Sequence, residues 1–266
     1  MSFNTTTISL KSGRQLTAAI VIPSTHTGSS RTRDEVPAVM LVNGFRSSFR
    51  NSRKATHLAK FATSTLETHF VTYDHAGHGS DPETPFNECT MTMWKNDLCE
   101  LLDASSGLLG TKKRVLLVGA SMGLHLSLLA AHARPERVAG IVGVGGSVNC
   151  VSLVRDFENN VEVECDVWIR PSSYDSSGYP IHRKLVESIR DEHIPKLGFD
   201  VRCPIELVHG MRDNDVHFQA AIAAAECVTS DRVSVVLVKD GDHRMSEDHH
   251  LHFITDAITR LVSLVA

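Results

Sequence analysis

The chain has 266 residues, 42% of them hydrophobic, and a formal net charge of −4. That mildly acidic balance excludes nucleic acid or an anionic membrane as the main partner, and no apolar run approaches the roughly 20 residues that span a bilayer. Cys89, Cys99, Cys150, Cys165, Cys203 and Cys227 are scattered with no Cys-x-x-Cys pair, which reads as free thiols in a reducing, intracellular setting, with cytoplasm the favoured address.

The N-terminal segment is Ser/Thr-rich and acid-free but lacks the apolar stretch of a secretory signal. Ile8 and Leu10 alternate with polar residues, which predicts a strand over Thr6–Leu10, a turn at Ser12-Gly13 and a second strand over Leu16–Ile22. A polar loop follows at Ser24–Glu35. Further strands are expected at Val39–Val42, Phe70–Tyr73, Val115–Val118, Val138–Val144, Ile205–Val208 and Val233–Val238. Several are near-continuous Val/Ile/Leu runs, the pattern of parallel strands covered on both faces. Helix-period stretches lie between them at Arg53–Leu66, Met93–Leu109, Leu124–Ala133, Phe218–Val228 and His249–Val265. This order predicts an α/β fold with a mostly parallel eight-stranded sheet, an antiparallel leading edge and helices on both faces. The segment Cys150–Val201, with one helix near His182–Arg190, is too long for a plain connection and is expected to form a small cap within a single domain of residues 1–266.

Gly119-Ala120-Ser121-Met122-Gly123 sits between an expected strand and an expected helix. In that context a Gly-x-Ser-x-Gly turn presents the serine hydroxyl above the sheet edge, so Ser121 is the candidate nucleophile. A serine needs a base held by a third group. In the order serine, acid, histidine, the buried strand before His209-Gly210-Met211-Arg212-Asp213 offers Asp213 as the acid. Asp215 is the rival, although it better suits the cap of the following helix. His243, in the loop after the last strand, is the candidate base. The oxyanion donors are expected to be the backbone N–H groups of Met122 and of Phe45, the latter in the loop Asn43-Gly44-Phe45. No metal or organic cofactor is required by this chemistry.

Other clusters read as structure. Tyr73–Asp81 is histidine- and glycine-rich, and a turn held by Asp74 accounts for it. Asp248-His249-His250-Leu251-His252 has the composition of a metal tract, yet lies where the last helix begins and reads as its solvated first turn. Gly140–Gly146 lacks the spacing of a dinucleotide loop.

Several stretches carry a closer likeness. They are Gly44-Phe45 with Arg53-Lys54-Ala55, Tyr73-Asp74-His75-Ala76-Gly77-His78-Gly79-Ser80, and Ala133-Arg134-Pro135-Glu136-Arg137-Val138. Trp168 with Pro171-Ser172-Ser173-Tyr174, Leu207–Asp213 and Asp242-His243-Arg244-Met245 complete the set. The chain resembles the α/β-hydrolase superfamily along nearly its whole length, and within it the family of alpha/beta-hydrolase domain-containing protein ten. The resemblance implies a serine hydrolase of thioesters or esters, acting through an acyl-enzyme on S-palmitoyl protein. It also implies acyl-glucuronide cleavage and a mitochondrial address as alternatives. Ser121, Asp213 and His243 take the triad roles, and residues 150–201 become the cap. Asn43 and His217 depart from residues common at their places, both at the pocket rim. A small-ester carboxylesterase with the same triad is the rival enzyme, and a ligand receptor on this fold the rival from another class. Oligomeric state is not readable from the sequence.

Overall fold

The computed structural model describes residues 3–23, 36–81, 83–109, 113–162, 165–172 and 176–265. The expected polar loop at Ser24–Glu35 and the Ser173-Tyr174 pair lie outside the described residues.

The leading hairpin forms as expected: β1 (Thr5–Ser9) pairs antiparallel with β2 (Gln15–Val21), with Ile8 opposite Leu16. The remaining strands of the main sheet are β3 (Ala38–Val42), β4 (Phe70–Tyr73), β5 (Val115–Ala120), β6 (Val138–Val144), β9 (Ile205–Gly210) and β10 (Val233–Val238). Their spatial order is β1-β2-β4-β3-β5-β6-β9-β10, and every neighbouring pair from β4 to β10 is parallel. The chain steps from β3 outward to β4, then crosses back to lay β5 on the other side of β3. Such a reversal leaves a crevice beyond the carboxyl ends of β3 and β5, where ligands of open α/β sheets bind.

Alternate side chains of the buried strands feed two cores. Met40, Val42 and Leu117 pack on one face with Trp94, Leu98 and Leu101 of helix α2 (Met91–Leu109) and with helix α3 (Met122–Ala133). Val39, Leu41, Leu116 and Val118 pack on the other with Leu58 of α1 (Arg53–Ser64) and Ile254 and Ile258 of α7 (Asp248–Val265). Helix α1 is amphipathic, burying Ala55, Leu58, Ala59 and Ala62, and the Ser52 hydroxyl caps it by accepting from Ala55 N–H. Helix α3 buries every residue from Met122 to Ala131, as an all-round apolar helix between sheet and α2 must. Helix α6 (Gln219–Cys227) covers β9 and β10.

Between β6 and β9 lie α4 (Val151–Asn160), the antiparallel hairpin β7 (Val167–Arg170)–β8 (Tyr179–His182), and α5 (Arg183–Asp191). Only α5 is expected from periodicity. Helix α4 and the hairpin are additions: Ile181 is buried in the core and Trp168 packs against it, but Val167 and Ile169 on the other face of β7 are apolar and exposed, so the four-residue strand shows no apolar–polar alternation. Among the described residues all six cysteines are free, and no helix is long and apolar enough to cross a membrane.

Candidate active site

Strand β5 delivers Ser121 at the crevice with φ 53° and ψ −118°. That conformation is unfavourable for any residue with a side chain and is held because Ser121 N–H donates to Val144 O at 2.9 Å on the neighbouring strand. The following helix must then pass close under β3. A Cβ on Gly123 would sit 2.1 Å from Val42 O, so only glycine fits there. Gly44, at the end of β3, brings its backbone against the nucleophile; a Cβ there would lie 3.0 Å from Ser121 Cβ.

The structure brings the three expected residues of the site together from three strand ends. His243 Nε2 lies 3.1 Å from Ser121 Oγ, and His243 Nδ1 lies 2.8 Å from Asp213 Oδ2. With Nδ1–H donating to the carboxylate, Nε2 is left as the acceptor that faces the hydroxyl. The Asp213 side chain is fully buried. Burial opposes its charge, but hydrogen bonds from His209 and His243 and from the Val216 N–H outweigh that and hold the carboxyl well below the usual range. Its Oδ1 accepts from Asp215 N–H at 2.9 Å and Val216 N–H at 2.8 Å. The site therefore carries a fixed negative charge behind the imidazole.

Phe45 and Met122, expected to supply the oxyanion donors, both line the cleft at Ser121. Phe45 follows Gly44, Met122 follows Ser121, and among the described residues neither amide has a hydrogen-bond partner. The loop carrying Phe45 is anchored from behind: Asn43 Nδ2 donates to Tyr73 O at 3.0 Å, and His75 Nε2–H donates to Asn43 O at 2.9 Å. Asn43 is thus a buried strut below the oxyanion loop. Asp74 holds the Tyr73–Asp81 turn as expected, accepting from Phe49 N–H, Ser48 Oγ–H and Ser80 N–H.

Two expectations need correction. Asp215 does not cap the next helix, because α6 starts at Gln219 behind Phe218; the intervening turn is spent on the amides that bind Asp213, and Asp215 lines the site instead. The first turn of α7 is not uniformly solvated either. His249 is exposed, but the His250 side chain is 4% exposed beside Asp240, because the 100° step of a helix turns one of two adjacent residues inward.

Sequence reasoning assigned no role to His209, whose Nε2 lies 3.2 Å from Asp213 Oδ2. Its position four residues before the acid, at the end of a buried strand, is the signal that marks it. Nor did it find the wall of the cleft. A cavity of about 320 Å³ opens at Ser121. Buried Met91, Trp94, Leu153, Leu185 and Ile189 line it, and Arg46, Arg170 and Arg244 stand around it. Arg46 lies over the rings of Phe86 and Tyr179, 4.7 and 5.3 Å from their centroids, which fixes its guanidinium beside the opening.

Comparison with known proteins follows the same lines. Residues 34–163 match the Hydrolase_4 family, serine aminopeptidase S33. The chain is 30% identical over 238 residues to the mitochondrial palmitoyl-protein thioesterase ABHD10 of Mus musculus, covering 87% of this chain and 77% of that one. The solved structure of mouse alpha/beta hydrolase domain-containing protein 10 superposes with a TM-score of 0.81 at 27% identity, covering 99% of this chain and 100% of that chain. A putative hydrolase from Agrobacterium vitis S4 shares the fold, with a TM-score of 0.82 at 24% identity over 98% of this chain and 100% of that one. The chain belongs to the ABHD10 family of α/β-hydrolases and is an ester-cleaving hydrolase of that fold.

Proposed function

We propose that the protein hydrolyses carboxylic thioesters, with long-chain acyl groups such as the palmitoyl group of S-acylated protein preferred, through an acyl-enzyme on Ser121. The observation that carries this reading is the hydrogen-bonded chain Asp213–His243–Ser121 opening onto a cleft with a buried apolar wall. His243 Nε2 takes the Ser121 proton as Oγ attacks the carbonyl carbon. The carbonyl oxygen gains charge and is met by the amides of Phe45 and Met122. The tetrahedral species collapses, the C–S bond breaks, and His243 returns the proton to the leaving thiolate. A water then loses its proton to His243, attacks the acyl-enzyme and releases the acid and Ser121. Neither half-reaction calls for a metal or an organic cofactor. Residues 150–201 act as a cap within the single domain: Leu153 of α4 and Leu185 and Ile189 of α5 supply part of the apolar wall. Support for the thioester comes from the mouse relative, which is named a palmitoyl-protein thioesterase. The mitochondrial address in that name is a reducing setting that fits the six free thiols.

Labelling with a fluorophosphonate, mapped by mass spectrometry, tests the nucleophile. Modification of Ser121 that disappears in His243→Ala is expected; a well-folded protein that stays unlabelled would favour the ligand-receptor reading. Rates over a series of acyl thioesters of increasing length test the substrate. A maximum at long chains is expected, and a maximum at acetyl or butyryl would assign a small-ester carboxylesterase instead.

A second reading has its own observation. Arg46, Arg170 and Arg244 around the cleft favour a leaving group that carries negative charge, as in an acyl glucuronide. Arg46→Ala is then expected to raise KM about tenfold for an acyl glucuronide and to leave a neutral ester unaffected. Equal effects on both substrates would reject this reading.

A further inference from the structure

The loop between β10 and α7 carries His243, and its two ends meet in a cluster that the triad does not use. Asp240 Oδ2 lies 2.8 Å from His249 Nε2, and Asp240 Oδ1 lies 3.5 Å from His250 Nε2. One ligand atom from each of the three residues lies within 4.8 Å of the others. His250 is the informative member. Its side chain is 4% exposed, and among the described residues neither ring nitrogen has a hydrogen-bond partner. A buried imidazole normally fixes its tautomer with such a partner, and one with both nitrogens unmatched has given up its bonds to water for nothing in return.

We infer that Asp240, His249 and His250 form a binding site for a divalent cation of the zinc class, which ties the start of α7 to the end of β10 across the loop that carries His243. The donor set is one carboxylate and two imidazoles, which selects zinc and its late first-row neighbours over magnesium or calcium. Zinc–ligand distances near 2.0–2.1 Å in a tetrahedron put neighbouring donor atoms about 3.3 Å apart. The two imidazoles approach different oxygens of Asp240, at 2.8 and 3.5 Å, and one donor atom from each of the three residues lies within 4.8 Å of the others, so shifts of about an ångström close the set around an ion. The helix N-terminus itself repels a cation, so the site rests on its three side-chain donors. On binding, the ion takes the place of the hydrogen between His249 Nε2 and Asp240, and the neutral imidazole carries its N–H on Nδ1 instead, so no net proton is released by that ring. Water completes the coordination, since the carboxylate and His249 are half exposed. The ion would thereby brace the loop at Asp240, three residues before the candidate base. This inference is independent of which ester is the substrate.

The test uses untagged, full-length protein stripped with a chelator and titrated with zinc chloride by calorimetry. One saturable site is expected, with Kd raised at least tenfold in Asp240→Asn and in His249→Gln. Both are surface changes that leave the fold in place, so the result does not depend on whether the buried His250→Gln variant folds. His243→Gln is expected to leave Kd unchanged, which separates this cluster from the alternative donor set Asp213, Asp215 and His243 at the triad. Cobalt added in place of zinc is expected to give the visible absorption of a tetrahedral site in the wild type and not in Asp240→Asn. No saturable binding, an unchanged Kd in Asp240→Asn and His249→Gln, or binding lost in His243→Gln would each overturn the inference.

Discussion

Acidification from pH 8 to pH 5 should remove a large part of the protein's stability, and three buried imidazoles set the amount. His75 and His125 are fully buried and His78 is 3% exposed. Burial lowers their pKa values from 6.5 to about 4 for His75, about 4 for His125 and about 3 for His78. In that interval the unfolded chain binds protons that the folded chain refuses. Stability is therefore full above the unfolded value and declines as pH falls from about 6.5 toward the folded values. At pH 5 the unfolded imidazoles lie about 1.5 pH units past their midpoint, which at about 1.36 kcal/mol per unit amounts to roughly 2 kcal/mol per site and about 6 kcal/mol for three. Whole domains are stable by only about 5–15 kcal/mol. Carboxylates titrate lower, near 3.9–4.3 when unfolded, so pH 5 isolates the histidines. Urea unfolding followed by circular dichroism at the two pH values measures the difference directly, with an unchanged m-value expected. In His125→Gln, which removes one site, the loss should shrink by about 2 kcal/mol. An unfolding free energy that is the same at both pH values, or a His125→Gln variant with the wild-type dependence, would show that the buried imidazoles do not set the acid sensitivity.

Two further predictions concern the site itself. Asp213→Asn should lower kcat by about 10³–10⁴-fold with little change in KM, because the amide no longer fixes the His243 tautomer; steady-state kinetics on any good thioester checks this. Gly123→Ala should cost about 3 kcal/mol or more, since its methyl group would overlap the Val42 carbonyl and both atoms belong to rigid backbone; a thermal melt close to the wild type would show that α3 can shift away from β3.

The readable parts of this chain are those where burial imposes a period. β5 and β6 are covered on both faces and show as unbroken apolar runs, and the Gly-x-Ser-x-Gly turn is explicit because close backbone approach tolerates no other residue at Gly123. Ser121, Asp213 and His243 were legible from their places after strands, and the structure brings them within hydrogen-bonding distance. The hairpin β7–β8 was not legible, since Val167 and Ile169 are apolar on the exposed face while Trp168 and Ile181 face the core, which leaves no period-2 pattern. Asp215 misled for a related reason: a carboxylate before a helix looks like a cap, whereas here the turn's amides are committed to Asp213. His250 was hidden because a composition rich in His and Asp looks polar throughout, while only the helical phase decides which ring is buried.

The dihedral angles of Ser121 have an evolutionary consequence. A residue at φ 53° and ψ −118° sits where a side chain costs about 1–3 kcal/mol and glycine costs little. Selection for stability alone would drive this position toward glycine, and every lineage that retains serine does so against that pressure. Ser121→Gly should therefore yield an inert protein that melts higher than its parent. Drift away from hydrolysis on this scaffold is downhill in folding free energy, so a relative that has lost its nucleophile is the natural starting point for a binding protein built on the same cleft.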